Sequence, residues 1–166
     1  MRTTAVELNR EVIAACRAWF RLGEDDDRLT VIEQDAAAYA ADSRNAGEAE
    51  VLCVDLYDHE AASPVLDDEV FYRACFELLA PGGVMSVNLF GRDASFERSV
   101  ARIGAAFAGQ ALWSLRPTRE GNTVVLATKY VAPPPRAELA ARAENIETRF
   151  GLPAHKWLRM MKGLSV

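Results

Sequence analysis

The run Ala49-Glu50-Val51-Leu52-Cys53-Val54-Asp55-Leu56-Tyr57-Asp58 constrains this chain more than any other stretch. Residues 51–54 are apolar and rich in β-branched side chains, long enough for a short buried strand. The strand stops on two carboxylates three positions apart, Asp55 and Asp58. In an open α/β sheet, ligands bind just beyond the carboxyl ends of the strands. A strand ending on Asp-x-x-Asp therefore carries two negative charges to the usual ligand position. The plainer reading is a turn and a helix cap, since Asp serves commonly in both.

The order of the remaining elements bears on that choice. Residues 3–8 are predicted as a strand ending near Glu7, and residues 9–21 as a helix. Val12, Ile13, Cys16, Trp19 and Phe20 fall on one face of that helix, and Trp19 and Phe20 are expected in the core. Residues 29–33 read as a second strand closed by Gln34-Asp35, with a short helix over 36–41. After the 51–55 strand, Asp67-Asp68-Glu69 opens a helix running to residue 79. Pro81-Gly82-Gly83 is expected to break it and turn the chain. A strand over 84–89 and a helix to about residue 107, capped by Asp93 or Ser95, come next. Residues 111–115 and 123–130 read as a hairpin turning through Arg119-Glu120-Gly121-Asn122. Pro133-Pro134-Pro135 is a stiff spacer before two helices, over 136–150 and 154–162.

Alternating strand and helix predicts an α/β fold with a parallel, doubly wound sheet. Glu7, Asp35 and Asp55 then end three strands at one edge of one sheet. A single such acid is ordinarily a helix cap; three in register are a less ordinary coincidence. The division expected is a domain over residues 1–132 and a Pro linker with a basic helical tail over 133–166.

With 166 residues the chain is one ordinary domain, able to bury a sizeable core. No apolar run approaches the ~18 residues that cross a membrane, and the N-terminus lacks a signal-peptide core. Residues 1–135 hold 13 Lys+Arg against 21 Asp+Glu, whereas residues 136–166 hold 6 against 3. An acidic body disfavours nucleic acid and suits a cationic small ligand, although solubility alone also explains it. Cys16, Cys53 and Cys75 show no metal-ligand spacing and are expected as small core residues of a reducing, cytoplasmic protein.

The segments Ala5-Val6-Glu7-Leu8-Asn9, Glu33-Gln34-Asp35-Ala36, Val54-Asp55-Leu56-Tyr57-Asp58 and Leu79-Ala80-Pro81-Gly82-Gly83-Val84 resemble, in order, the motifs of class I S-adenosylmethionine-type Rossmann-like folds. The Asp-x-x-Asp form resembles the spermidine synthase (polyamine aminopropyltransferase) family in particular. The resemblance covers about residues 3–130. It implies a partial doubly wound, class I methyltransferase-type sheet with a C-terminal antiparallel hairpin and a helical tail. It also implies aminopropyl transfer from decarboxylated S-adenosylmethionine to a polyamine such as putrescine, without a metal.

The resemblance assigns roles residue by residue. Glu7 corresponds to the acid accepting from both ribose hydroxyls, for which two carboxylate oxygens suit. Asp35 corresponds to the acceptor from the adenine amino group, with Ala36 beside it where the family often has Gly. Asp55 corresponds to the proton acceptor. A primary ammonium with a pKa near ~10 must lose a proton before it can attack. Asp58 corresponds to the carboxylate that holds a substrate ammonium, and Tyr57 to a cover for the adenine or the substrate stem; Tyr57 also fits as a core aromatic. Sulfonium and ammonium are both cationic, so an acidic pocket offsets their repulsion.

The departures are specific. No Gly-x-Gly cluster occurs, and the resemblance begins at the family's second strand, without its first strand, glycine-rich loop or small N-terminal β-domain. Met1 is then either an internal methionine or the start of a protein lacking that part. The missing strand belongs between the 3–8 and 51–55 strands, so a gap, unusual pairing or a strand from a second chain is expected, and with it a homo-oligomer such as a dimer. Two further readings stay open: an S-adenosylmethionine-dependent methyltransferase, and a non-catalytic nucleoside-binding or assembly domain. Neither membrane nor nucleic acid is expected as a partner. His59 reads as a loop residue near a polar site, His155 as an exposed tail residue, and Asp25-Asp26-Asp27 as a solvated loop. Trp157, Leu158, Met160 and Met161, with Lys156, Arg159 and Lys162, make a basic amphipathic helix, which suits a membrane or an acidic partner but more ordinarily docks on the body's own acidic surface or on a second subunit.

Overall fold

Strands form where apolar residues alternate or cluster, and helices where they recur every three to four positions. The computed structural model describes residues 1–56, 68–90, 94–108, 110–117 and 121–164. Tyr57, Asp58, His59, Asp93, Arg119 and Glu120 lie outside the described residues. The chain divides into two units, Met1–Asn45 and Ala46–Val166.

The first unit comprises β1 (Thr3–Glu7), α1 (Arg10–Trp19), β2 (Leu29–Glu33), α2 (Ala36–Ala41) and a 3-10 turn (Ser43–Asn45). β1 and β2 pair in parallel with Glu7 opposite Glu33, in a two-stranded sheet of their own. Asn9 caps α1 by accepting from the Glu11 backbone N–H at 2.8 Å. The helix follows the expected periodicity, yet none of its residues is buried. Trp19 and Phe20 are 80% and 78% exposed, which corrects their expected place in the core. They stand at the last residue and the C-cap of α1, and Arg21 takes a left-handed φ of 61°. The chain thus turns just where those rings would need a facing surface. The acidic loop is ordered by local bonds: Arg17 pairs with Glu24 and Asp25, and Asp26 Oδ1 accepts from the backbone N–H groups of Arg28 and Leu29, each at 2.8 Å.

The second unit holds β3 (Ala49–Val54), α3 (Glu69–Leu78), β4 (Leu79–Phe90), α4 (Ala94–Ala106), β5 (Leu112–Ser114), β6 (Asn122–Thr128), α5 (Arg136–Phe150), α6 (Ala154–Met160) and β7 (Lys162–Leu164). Its sheet runs β3-β4-β6-β5-β7, with β3 and β4 parallel and the other pairs antiparallel. The expected hairpin forms as β5 and β6, with Leu112 opposite Ala127. β7 was not foreseen, because three residues, Lys162-Gly163-Leu164, carry no periodicity. It exists because β5 offers a free edge, where Leu112 pairs with Leu164.

The interruption expected in the sheet is present among the described residues: β1 pairs with β2 in one sheet, and β3 with β4 in another. One expectation is corrected here. α3 ends at Leu78, and Pro81-Gly82-Gly83 lies inside β4 rather than turning the chain away. Gly82 has φ +83°, and a Cβ on Gly83 would lie 2.8 Å from the Ala80 carbonyl oxygen and 2.9 Å from that of Ala49. The β3–β4 register shifts between Ala49 and Val51, where this close approach occurs.

One face of this sheet carries the core. Met85, Val87 and Leu89 of β4 and Val125 and Ala127 of β6 alternate inward, and Tyr72, Cys75, Ile103 and Phe107 of the α3 and α4 region are also buried. Burial pushes the Cys75 thiol up to about 12. Cys16 is half-buried and Cys53 exposed, which corrects their expected burial. Cys53 alternates with buried Val54 and so takes the opposite, open face of β3. No helix among the described residues is long and apolar enough to cross a membrane.

Candidate functional site

Asp55 follows the last residue of β3 directly. β3 and β4 are parallel with Val54 opposite Val87, so the next cross-strand positions are Asp55 and Asn88. Asn88 Nδ2 donates to Asp55 Oδ1 at 3.1 Å. Asp55 is exposed at the carboxyl end of its strand, the edge where ligands bind in such sheets. Oδ2 of Asp55 carries no hydrogen bond among the described residues.

Glu7 and Asp35 share an edge within the first unit. They stand at and just beyond the carboxyl ends of two adjacent parallel strands, and the Gln34 N–H donates to the Glu7 carbonyl at 3.1 Å. Each has one oxygen committed to local backbone. Glu7 Oε1 accepts from Asn9 N–H at 2.7 Å, and Asp35 Oδ1 caps α2 by accepting from Ala38 N–H at 2.8 Å. The plain capping role therefore holds for Asp35, and it leaves the second oxygen of each carboxylate as an acceptor. Ala36, the first residue of α2, is half-buried beside Asp35. Asp55 belongs to the other unit and to its own sheet.

Carboxylates with one oxygen tied and one open suit ligands whose groups all donate: ribose hydroxyls, an exocyclic amine, a primary ammonium. Asn88 was missed from the sequence. Its signal was a polar side chain near the end of an otherwise apolar strand, Val84-Met85-Ser86-Val87-Asn88-Leu89. His155, expected to be exposed, is half-buried between α5 and α6. Its backbone N–H donates to Glu147 Oε1 at 2.8 Å and its Nδ1 lies 3.0 Å from Glu147 Oε2. Those contacts, the backbone bond first, hold the Glu147 carboxyl below its ordinary value.

Residues 1–120 match the spermine/spermidine synthase domain. The chain belongs to the spermine/spermidine synthase family. A polyamine aminopropyltransferase of Neisseria meningitidis is 30% identical over 162 residues, covering 97% of this chain and 60% of the relative. The chain thus spans about 60% of the length of the curated relatives it matches first. Among solved structures, a spermidine synthase in complex with the transition-state analogue AdoDATO superposes with a TM-score of 0.67 at 22% identity, over 84% of this chain and 51% of that one. Human methyltransferase-like protein 13 in complex with SAH superposes with a TM-score of 0.70 at 22% identity, over 99% of this chain and 74% of that one. The Rossmann-like fold shared with class I methyltransferases, expected from the motifs, is thereby shown for this member of the synthase family.

Proposed function

We propose that this chain contributes to a polyamine aminopropyltransferase site. The observation that carries the reading is Asp55, a carboxylate at the carboxyl end of β3 with one oxygen bonded to Asn88, in a member of this family. In the proposed reaction Asp55 accepts a proton from a primary ammonium of putrescine. The freed amine nitrogen bonds to the propyl carbon of decarboxylated S-adenosylmethionine, and methylthioadenosine leaves with the electron pair of the broken carbon–sulfur bond. Asp58 holds the substrate's second ammonium, and Tyr57 covers its stem. Glu7 accepts from the ribose hydroxyls, and Asp35, with Ala36 beside it, accepts from the adenine amine. Oε1 of Glu7 also accepts from Asn9 N–H, and the remaining lone pairs of the two oxygens serve the hydroxyls.

The same proposal includes a cytoplasmic protein, small-molecule partners rather than nucleic acid or membrane, and residues 133–166 as a basic appendage to the 1–132 domain. β3 pairs on one side only among the described residues, which supports association with a second copy. Light scattering should report a mass above that of one chain.

The chemical test is calorimetry with methylthioadenosine and S-adenosylmethionine, followed by kinetics with putrescine varied at fixed donor. Binding of methylthioadenosine and aminopropyl transfer are expected. Asp55→Asn should abolish turnover while leaving nucleoside binding nearly intact, because Asn keeps the shape but cannot take the proton. Asp58→Asn should raise the putrescine KM, at a cost of about 1–3 kcal/mol for a charge-assisted bond. Glu7→Gln should weaken the nucleoside. Unchanged turnover in Asp55→Asn removes Asp55 from the base role. Methyl transfer from S-adenosylmethionine without aminopropyl transfer would replace the reading with a methyltransferase.

A further inference from the structure

Asn88 stands 33 residues from Asp55 in the chain, so only the parallel register of β3 and β4 brings the two side chains together. β4 is paired on both sides, with Asn88 opposite Val124 of β6, and its neighbours Val87 and Leu89 are buried. Asn88 is thus carried on the sheet's interior framework, whereas Asp55 lies at an exposed strand end where this is the one side-chain bond among the described residues. The bond ties Oδ1 and limits χ1 and χ2 of Asp55. The tie is also chemically selective. A carboxamide has no titratable proton and no charge, so it orients the carboxylate without taking its place as base or neutralising it. An Arg or Lys at position 88 would hold Asp55 as an ion pair and compete with a cationic substrate.

We propose that Asn88 is the positioning residue for Asp55, holding Oδ1 so that Oδ2 is the oxygen that accepts from the incoming ammonium. The proposal rests on the reading of Asp55 as proton acceptor. It places support for the base on the neighbouring strand.

The test compares Asn88→Leu, which keeps the volume and loses the donor, with Asn88→Gln, which keeps a carboxamide. Asn88→Leu should lower kcat about tenfold, within the roughly 10²-fold that misplacing a reacting group can cost, and leave both KM values within about twofold. Asn88→Gln should recover part of that loss. Equal kcat in Asn88→Leu and wild type overturns the proposal, as does a loss of nucleoside binding matching the loss of rate. Absence of turnover in the wild-type chain would strike the proposed activity instead, and the pair is then read by NMR. In wild type the Asn88 side-chain amide protons should exchange slowly and resonate away from free-amide positions. Asp55→Ala, a change at an exposed strand end, should shift their resonances and speed their exchange. If Asp55→Ala leaves those protons unchanged, the pairing is refuted even where an Asn88 variant fails to fold.

Discussion

The ammonium of Lys129 lies 2.8 Å from the carbonyl oxygen of Leu79, fifty residues earlier in the chain. It also donates to the Phe76 carbonyl at 2.8 Å and sits 4.6 Å from the centre of the Phe76 ring. Lys129 is only 6% exposed. Carbonyls at a helix C-terminus have no partners within the helix and carry partial negative charge, so a cation is the complementary group there. The residue just past β6 therefore fastens the end of α3 and the start of β4.

Lys129→Met should destabilise the protein by about 1–3 kcal/mol, because buried carbonyls lose their donor while the volume is kept. Urea unfolding measures this. Lys156→Met, at an exposed position of α6, is the control and should stay within about 0.5 kcal/mol.

Gly83→Ala should cost about 1–3 kcal/mol, since the new methyl group meets backbone oxygens that cannot move aside. Amide exchange should quicken across the β3–β4 ladder, and more so there than in the β5–β6 hairpin. Gly23→Ala is the comparison: nothing lies within 4 Å of the added carbon.

The three thiols should react in order of exposure. Iodoacetamide at pH 8 should modify exposed Cys53 first, half-buried Cys16 more slowly, and Cys75 only on unfolding. A thiol pushed up to about 12 has a thiolate fraction on the order of 10⁻⁴ at that pH, and the reagent also lacks access. Mass spectrometry of the native labelled protein decides it. Labelling of Cys75 ahead of Cys53 would contradict the described packing.

Asp42 should titrate far below an ordinary aspartate. The Arg44 side chain bonds its carboxylate, chiefly, and the Arg44 N–H adds to this, which lowers it from 3.8 to about 2. A depressed carboxyl pKa stabilises the folded state above the unfolded value, and that contribution disappears as pH falls from about 4 through about 2. Carbon-13 NMR of the Asp42 carboxyl group should show the low midpoint, and Arg44→Ala should return it toward 3.8. Because the pair is exposed, the effect should be screened by added salt.

Much of the local order was legible in the sequence because its causes are local. The apolar periodicity marks α1. The caps at Asn9, Asp35 and Asp68 use side chains two or three residues from the N–H groups they accept from. The β5–β6 pairing follows from two strand patterns and a short turn, and the family from motifs spread along the chain.

Sequence alone thus determined the element types, the family and the acidic residues at strand ends. Tertiary structure decided what those residues touch. The pairing of β7 with β5 depends on which strand edges meet, and periodicity within a strand says nothing of its neighbour. Asn88 reaches Asp55, and Lys129 reaches Leu79, through strand register and helix packing across 33 and 50 residues. The exposure of Trp19 and Phe20 has the same origin: a helix can present an apolar stripe, but only a facing element buries it.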